Sequence, residues 1–261
     1  MTWLVPIRIE VLGAVRAWQA EDELPLGPPQ QRGVLALLAI ADGQPLSVQE
    51  IVDGLWEGDP PRSAANIVQT YVKRLRKVLE PHRPRRSPSQ LLPAANNGYA
   101  LRAEPTAVDL WRFRRLVRLA GDARRECAHE RVAGLLAEAL ALWKGPPGHG
   151  NPTLSNHHRI RAVIEEHGTV AGWFAETALV TGTAAEALPV VAQVTAARPF
   201  DEPLHANLIR LYQAAGRRSH AVQVYRDCQA RLRDELGLDP GPELTMAYRD
   251  LLSHPPAGPG A

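Results

Sequence analysis

The sequence predicts a mainly α-helical chain in two parts: a small N-terminal domain of mixed strands and helices, then an all-helical one. Three observations predict it. Strand periodicity and a tight-turn signal are confined to residues 1–104. Beyond them the composition shifts to Ala, Leu, Arg and Glu, and a 34-residue repeat emerges. At 261 residues the chain also exceeds one average domain. The expected division is 1–104, 105–252 and a disordered tail at 253–261.

The elements follow in order. "IRIEVLG" alternates Ile7, Ile9 and Val11 with Arg8, Glu10 and Leu12, the period of a strand. "VRAW" and "LPLG" are expected to add short strands on either side of the acidic turn Glu21-Asp22-Glu23, making a small antiparallel sheet. Residues 30–41 form a helix entered through Pro28-Pro29 and ended by Asp42-Gly43. It is apolar nearly all round, so it is expected to be buried. In "LSVQEIVDGLW", Ser47 and Glu50 make a capping box, and Val48, Ile51, Val52, Leu55 and Trp56 make an amphipathic stripe. "EGDPPR" breaks the chain, and Ser63 is expected to cap a third helix. "HRPRRSPSQ" reads as a mobile, proline-rich basic connection. "QLLPAANNGYALRA" reads as two strands around Asn96-Asn97-Gly98, since Asn-Gly signals a tight hairpin turn. Strands, three helices and a hairpin are the layout of a winged helix-turn-helix.

From Val108 the strand signals vanish. Helices are expected near 111–119 and 132–143, with "KGPPGHGNPT" interrupting the stack. Gly182 and Ala187 lie 34 positions before Gly216 and Ala221, and Leu188 and Val191 fall opposite Val222 and Tyr225. Thirty-four is the tetratricopeptide period. Small residues at those places let paired helices approach, and each unit needs its neighbour to cover its apolar face.

Bulk properties narrow the function. No apolar run approaches the roughly 20 residues that cross a bilayer, and the N-terminus lacks the cationic flank and cleavage site of a signal peptide. Cys127 and Cys228 are isolated thiols, which suggests a reducing compartment and offers no disulfide or metal framework. A cytoplasmic protein with no membrane partner is expected. The net charge of +2 conceals an asymmetry: residues 1–59 sum to −6 and residues 60–102 to +8, with Glu80 the only carboxylate in the second stretch. Such a patch suits a polyanion. An acidic protein surface or anionic lipid fits it as well.

The third helix holds four of the nine cations in residues 60–102. At about 100° per residue, Val68, Val72, Leu75 and Leu79 share one side, flanked by Ile67, Tyr71 and Val78. Asn66, Gln69, Thr70, Lys73, Arg74, Arg76 and Lys77 occupy the other, with no carboxylate before Glu80. A merely solvated helix usually mixes in acids. An α-helix fits the DNA major groove, where Arg or Lys bonds guanine and Gln or Asn bonds adenine. Gln69, Thr70, Lys73 and Arg74 are expected at base edges or nearby phosphates. Arg76 and Lys77 are expected on phosphates, which set register without reading sequence. For the hairpin tip two readings stand level: Asn96, Asn97 and Tyr99 at the adjacent minor groove, or a plain turn with Tyr99 packed on the domain. Arg83, Arg85 and Arg86 read as a solvated linker.

These residues resemble a known family. "LPLGPPQQRGVLALLAI", "LSVQEIVDGLWEGDPPRSAANIVQTYVKRLRKVLE", "NNGYAL", "EALALWKGPP" and "RLYQAAGRRSHAVQVYRDCQARLRDELGLDPGPEL" look like the Streptomyces antibiotic regulatory proteins. Those proteins join an OmpR-type winged helix to a tetratricopeptide-like bacterial transcriptional activator domain. The resemblance implies a transcriptional activator of a secondary-metabolite gene cluster, bound to direct repeats in double-stranded promoter DNA as a side-by-side dimer. It implies recruitment of RNA polymerase holoenzyme with its sigma factor. It makes the helix from Ser63 to Leu79 the recognition helix, and the loop Glu57, Gly58, Asp59 and Arg62, with the activator domain, a polymerase-facing surface. Two stretches depart from the pattern: the basic insert before the hairpin is longer than usual, and "GHGNPTLSNHHRIRAV" matches weakly. No G-x-x-x-x-G-K-[ST] loop occurs and no receiver-type segment precedes the strands, so neither an ATPase module nor phospho-aspartate control is expected.

Two rivals compete. An enzyme would need a site, and His149, His157 and His158 lack a second ligand cluster at metal spacing. They read as solvated histidines, and neither a nucleophile elbow nor a dinucleotide fingerprint appears. No catalytic residue, metal or cofactor is expected. The other rival is a tetratricopeptide adaptor whose N-terminal domain has lost DNA binding. The intact cationic arc argues against it.

Overall fold

The computed structural model describes residues 7–56, 58–84, 86–151, 154 and 156–253. The fold is a winged helix-turn-helix plus a helical tetratricopeptide-like domain. Strands β1 (Ile7–Glu10), β2 (Arg16–Gln19) and β3 (Asp22–Glu23) form an antiparallel sheet in sequence order. The register pairs Arg8 with Trp18 and Trp18 with Glu23. The third strand is the acidic Asp22-Glu23 itself, and Leu24–Gly27, expected to be a strand, is irregular. Arg16 explains the shift: its Nε donates to Glu23 at 2.8 Å, so the two strands meet through an ion pair.

Helix α1 (Pro29–Ile40) starts with proline in its first turn and is buried over Val34–Ile40. Strand β4 (Leu46–Ser47) leads into α2 (Val48–Trp56), and α3 (Ala64–Leu79) follows. The hairpin β5 (Ala94–Ala95) and β6 (Gly98–Tyr99) makes a second sheet with β4, in the order β4-β6-β5. The helices α4 (Asp109–Arg125), α5 (His129–Ala141), α6 (His158–Thr181), α7 (Ala184–Ala196), α8 (Glu202–Ala214), α9 (Arg218–Arg231) and α10 (Pro242–Ser253) complete the described chain. A π-type turn over Leu232–Leu236 extends α9. The expected disordered tail lies outside the described residues from 254 onward.

By compactness the chain forms two units. The first comprises the described residues of Met1–Arg115 and Ala141–Glu165, the second those of Leu116–Leu140 and Glu166–Ala261. This spatial division differs from the sequence boundary at residue 104. Within the first unit, Asp109 accepts N–H bonds from Val11 at 2.9 Å and Leu12 at 3.0 Å, taking over where β1 ends. The Trp111 indole N–H donates to the Ala39 carbonyl at 2.7 Å. The stretch that reads as an interrupting link runs beside residues 11–13, with Lys144 N–H donating to Leu12 at 2.8 Å and His149 N–H to Gly13 at 3.0 Å. Lys144 also pairs with the buried Glu10 at 2.7 Å. Asn151 Nδ2 donates to the Pro29 carbonyl at 3.0 Å.

The second unit displays the 34-residue repeat. Gly182 and Gly216 both have left-handed backbones, φ +73° and +71°. Each ends a helix in the same way: Thr183 N–H reaches back to the Ala178 carbonyl (2.9 Å), and Arg217 N–H to that of Tyr212 (2.8 Å). That is a Schellman closure, which satisfies carbonyls left open at a helix end. Ala187 and Ala221 are fully buried. Ile209, Ala221, Cys228, Leu232, Leu244 and Leu251 share one core, with Tyr225 stacked on Tyr248.

Candidate nucleic-acid interface

Helix α3 divides as its periodicity predicts. Val68, Val72 and Leu75 are fully buried and Leu79 nearly so, packed toward α1 and α2. The Tyr71 hydroxyl fixes the helix on α1 by donating to Gln30 Oε1 at 3.0 Å. Asn66, Gln69, Thr70, Lys73, Arg74 and Lys77 are exposed. Among the described residues no carboxylate pairs with Lys73, Arg74 or Lys77. Thr70 uses its proton within the helix, donating to the Asn66 carbonyl at 2.9 Å, and so keeps only an acceptor for a ligand.

The helix before it is closed by the expected capping box. Ser47 N–H and hydroxyl donate to Glu50 at 2.8 and 2.9 Å, and Glu50 N–H donates to Ser47 Oγ at 3.2 Å. The Ser47 bonds hold the Glu50 carboxyl below its usual range. Ser63, in contrast, makes no side-chain cap. Its backbone sits at φ −95°, ψ 11° within a tight turn, not the extended conformation that brings an N-cap oxygen to the first amides. It is exposed beside the helix start.

The wing rests on close backbone approach. Asn96 and Asn97 both have positive φ, +48° and +56°, so they are the central pair of the turn, and Gly98 follows as the first residue of β6. A Cβ on Gly98 would lie 1.8 Å from the Leu46 carbonyl oxygen, which is why β4 and β6 need glycine there. Val48 N–H donates to the Asn97 carbonyl at 3.2 Å, tying the tip to the start of α2. Asn96 and Asn97 are exposed, while Tyr99 is half-buried under Arg76. Of the two readings, Tyr99 follows the packed one and the asparagines remain available. An open groove of about 480 Å³, lined by Val48, Gln69 and residues 94–99, joins wing to helix.

Arg76 departs from its expected place. It is half-buried; Nε and Nη2 donate to the Leu92 carbonyl at 2.9 and 2.6 Å, and its guanidinium lies 5.2 Å from the Tyr99 ring centroid. The supposedly mobile connection is also held. Buried Glu80 accepts from Ser89 Oγ, Gln90 N–H (2.7 Å) and Leu91 N–H (3.1 Å). Arg83 turns inward, donating to the Ser87 carbonyl at 2.5 Å and lying 3.7 Å from Glu80, so it is not a solvated cation. Arg86 is exposed, and Arg85 lies outside the described residues.

Gly58, Asp59 and Arg62 form an exposed loop between α2 and α3, while Glu57 lies outside the described residues. His149 and His158 are exposed, but His157 is not a solvated side chain. A Cβ on Gly54 of α2 would meet its ring at 3.2 Å, and burial lowers its pKa. Among the described residues no group of His, Cys, Asp or Glu is placed to hold a metal, and no helix is long and apolar enough to cross a membrane.

Sequence reasoning missed the contribution of Glu80, Asp109 and Lys144. Glu80 left one signal: a lone carboxylate among nine cations. The other two left none, because a bond to a distant backbone amide or a single remote carboxylate has no periodicity.

The surface assembled here is a helix offering amides and cations beside a hairpin tip offering two more amides. Such an arc can bond base edges in a major groove and phosphates along it. Comparison with known proteins supports the same reading. Residues 22–101 match the family "Transcriptional regulatory protein, C terminal", and residues 108–252 match "Bacterial transcriptional activator domain". The chain is 36% identical to the regulatory protein AfsR of Streptomyces coelicolor over 255 residues, covering 96% of this chain but 25% of AfsR. It is 30% identical to the transcriptional regulator RedD of the same organism, covering 96% of this chain and 71% of RedD. The structure of Mycobacterium tuberculosis EmbR in complex with a low-affinity phosphopeptide superposes with a TM-score of 0.77 at 30% identity, over 96% of this chain and 66% of EmbR. Thus the chain spans about a quarter of AfsR and two thirds of EmbR. With both domain matches and a relative aligned over most of its own length, the chain belongs to the Streptomyces antibiotic regulatory protein family of transcriptional regulators.

Proposed function

We propose that the chain is a cytoplasmic transcriptional activator that binds double-stranded promoter DNA, with α3 in the major groove and the Asn96-Asn97 tip at the neighbouring minor groove. The observation that carries this is the split of α3: Val68, Val72 and Leu75 fully buried on one face, and on the other an exposed arc of Asn66, Gln69, Lys73, Arg74 and Lys77 with which, among the described residues, no carboxylate pairs. Two copies sit side by side on direct repeats. The exposed loop Gly58, Asp59 and Arg62 and the helical unit meet RNA polymerase holoenzyme and its sigma factor. The regulated genes are those of a secondary-metabolite cluster, in line with membership of the Streptomyces antibiotic regulatory protein family.

Selection from a random duplex library, followed by a salt titration on the recovered site, tests the reading. About five phosphate contacts give a fall in log affinity of roughly 4 to 5 per decade of salt. The recovered site is expected to contain a direct repeat. Lys77→Ala weakens binding to specific and random duplex alike, whereas Arg74→Ala loses about 1–3 kcal/mol more on the selected site. Recovery of no site, with salt-insensitive binding, would leave the adaptor as the better description. Equal losses for Arg74→Ala on both duplexes would move it to the backbone.

A further inference from the structure

Arg76 in the last turn of α3 and Glu80, the residue that caps its end, are two charged side chains four residues apart that turn toward the protein. Both are spent on one short piece of chain: residues 89–92, the root of the wing. Arg76 takes the Leu92 carbonyl with two guanidinium donors. Glu80 takes the amides of Gln90 and Leu91 and the hydroxyl of Ser89, and Ser89 Oγ in turn accepts the Leu92 N–H at 2.9 Å. Every residue from Ser89 to Leu92 is therefore bonded, directly or through Ser89, to the end of the helix. From that root the hairpin ladder continues, with Arg102 N–H donating to Leu91 at 2.7 Å and Ala100 N–H to Pro93 at 3.2 Å. Tyr99, on the returning strand, closes against the other side of the Arg76 guanidinium.

We propose that Arg76 and Glu80 are positioning residues, a two-point clamp that sets the angle between α3 and the wing, and that Arg76 makes no phosphate contact. The proposal rests on the DNA-binding reading above. The tip lies four residues beyond Leu92, roughly 13 Å at strand rise. A swing of about 10° at the root displaces it by roughly 2 Å, enough to lose a hydrogen bond to a sugar or phosphate. Charge-assisted bonds suit the task because they are shorter and about twice as strong as neutral ones. The clamp residues bond backbone groups of the root and, of the side chains there, engage the Ser89 hydroxyl and the Tyr99 ring, so the clamp constrains the path of the chain while the Asn96 and Asn97 side chains stay exposed. A wing held before contact need not be ordered on binding, which favours affinity.

The test uses the full chain with Arg76→Met, which keeps the aliphatic stem and removes every donor, and Glu80→Gln as an independent variant. Nitrogen-15 relaxation on the free protein is expected to show Asn96 and Asn97 becoming mobile in both variants while α3 stays rigid. On a selected duplex, affinity is expected to fall roughly tenfold, the scale of one or two lost contacts. The minor-groove hydroxyl-radical protection should fade, with the major-groove protection and the salt slope retained. Lys77→Ala, for comparison, should reduce the slope by about 0.9. Arg76→Lys should recover part of the wing protection. Two results would overturn the clamp: an unchanged tip in the free variants, or a salt slope reduced in Arg76→Met with wing protection intact. If wild-type protein binds no duplex, the DNA reading fails, and the relaxation data still decide whether the clamp exists.

Discussion

Asp109 offers the sharpest perturbation of the first unit. Its carboxylate is buried and accepts three backbone N–H groups, from Val11, Leu12 and Leu110. Those bonds favour the ionised form, yet burial outweighs them and pushes the pKa from 3.8 up to about 6, with nearby Glu10 adding slightly. A folded-state pKa above the unfolded value means that the native state binds the proton more tightly. The stabilisation is then fully present below about pH 4 and is lost as the pH rises through about 6. A shift of about two units at 1.36 kcal/mol each corresponds to ~3 kcal/mol. Asp109→Asn keeps the shape and one carbonyl acceptor but cannot titrate. Urea unfolding of both proteins from pH 4 to 7 should therefore show wild-type stability, relative to the variant, falling by about 2 kcal/mol across that range, since the unfolded carboxyl is already partly ionised at pH 4. Carboxylates remote from Asp109 titrate equally in both and cancel. A difference that stays flat, or one that grows with pH, would refute the balance in which desolvation wins over the three N–H bonds.

Three further outcomes follow from the geometry. A fragment of residues 1–104 lacks Asp109, Trp111, Lys144 and Asn151; Trp111 alone is worth ~3–5 kcal/mol on the scale of large-to-small core changes, against a total domain stability of about 5–15 kcal/mol. It is expected to show no cooperative melt by circular dichroism, and melting within a few degrees of the whole chain would contradict this. Gly98→Ala drives a methyl into the Leu46 carbonyl and should destabilise the wing sheet by ~3 kcal/mol, the upper end for overpacking, seen as rapid amide exchange at Tyr99 and weakened DNA binding. Exposed Cys127 has φ +56° at the corner between α4 and α5, where Ala128 N–H closes on the Ala123 carbonyl at 3.0 Å as at Gly182 and Gly216. Cys127→Gly should raise stability by about 0.5–1 kcal/mol and Gly216→Ala lower it by a similar amount; denaturant midpoints moving the other way would deny that these corners are equivalent.

Features with a local cause are legible in the order of the residues. The buried stripe of α3, the Ser47–Glu50 box, the hairpin around Asn96-Asn97-Gly98 and the 34-residue spacing of Gly182 and Gly216 are all set by residues a few positions apart or by an exact repeat. Helical and strand geometry translates such spacing directly into faces and turns. Ser63 and "LPLG" show the weakness of that translation, because a cap or a two-residue strand turns on one backbone angle or one ion pair. Which cations remain exposed, and where the first unit ends, depends on contacts between distant parts of the chain. Arg76 is spent on a carbonyl 16 positions away, Asp109 serves amides 97 and 98 positions away, and Lys144 meets Glu10 across 134. Every backbone amide and carbonyl is an equally good partner on paper. The three-dimensional path of the chain selects among them, and the order of residues carries no periodic trace of that selection.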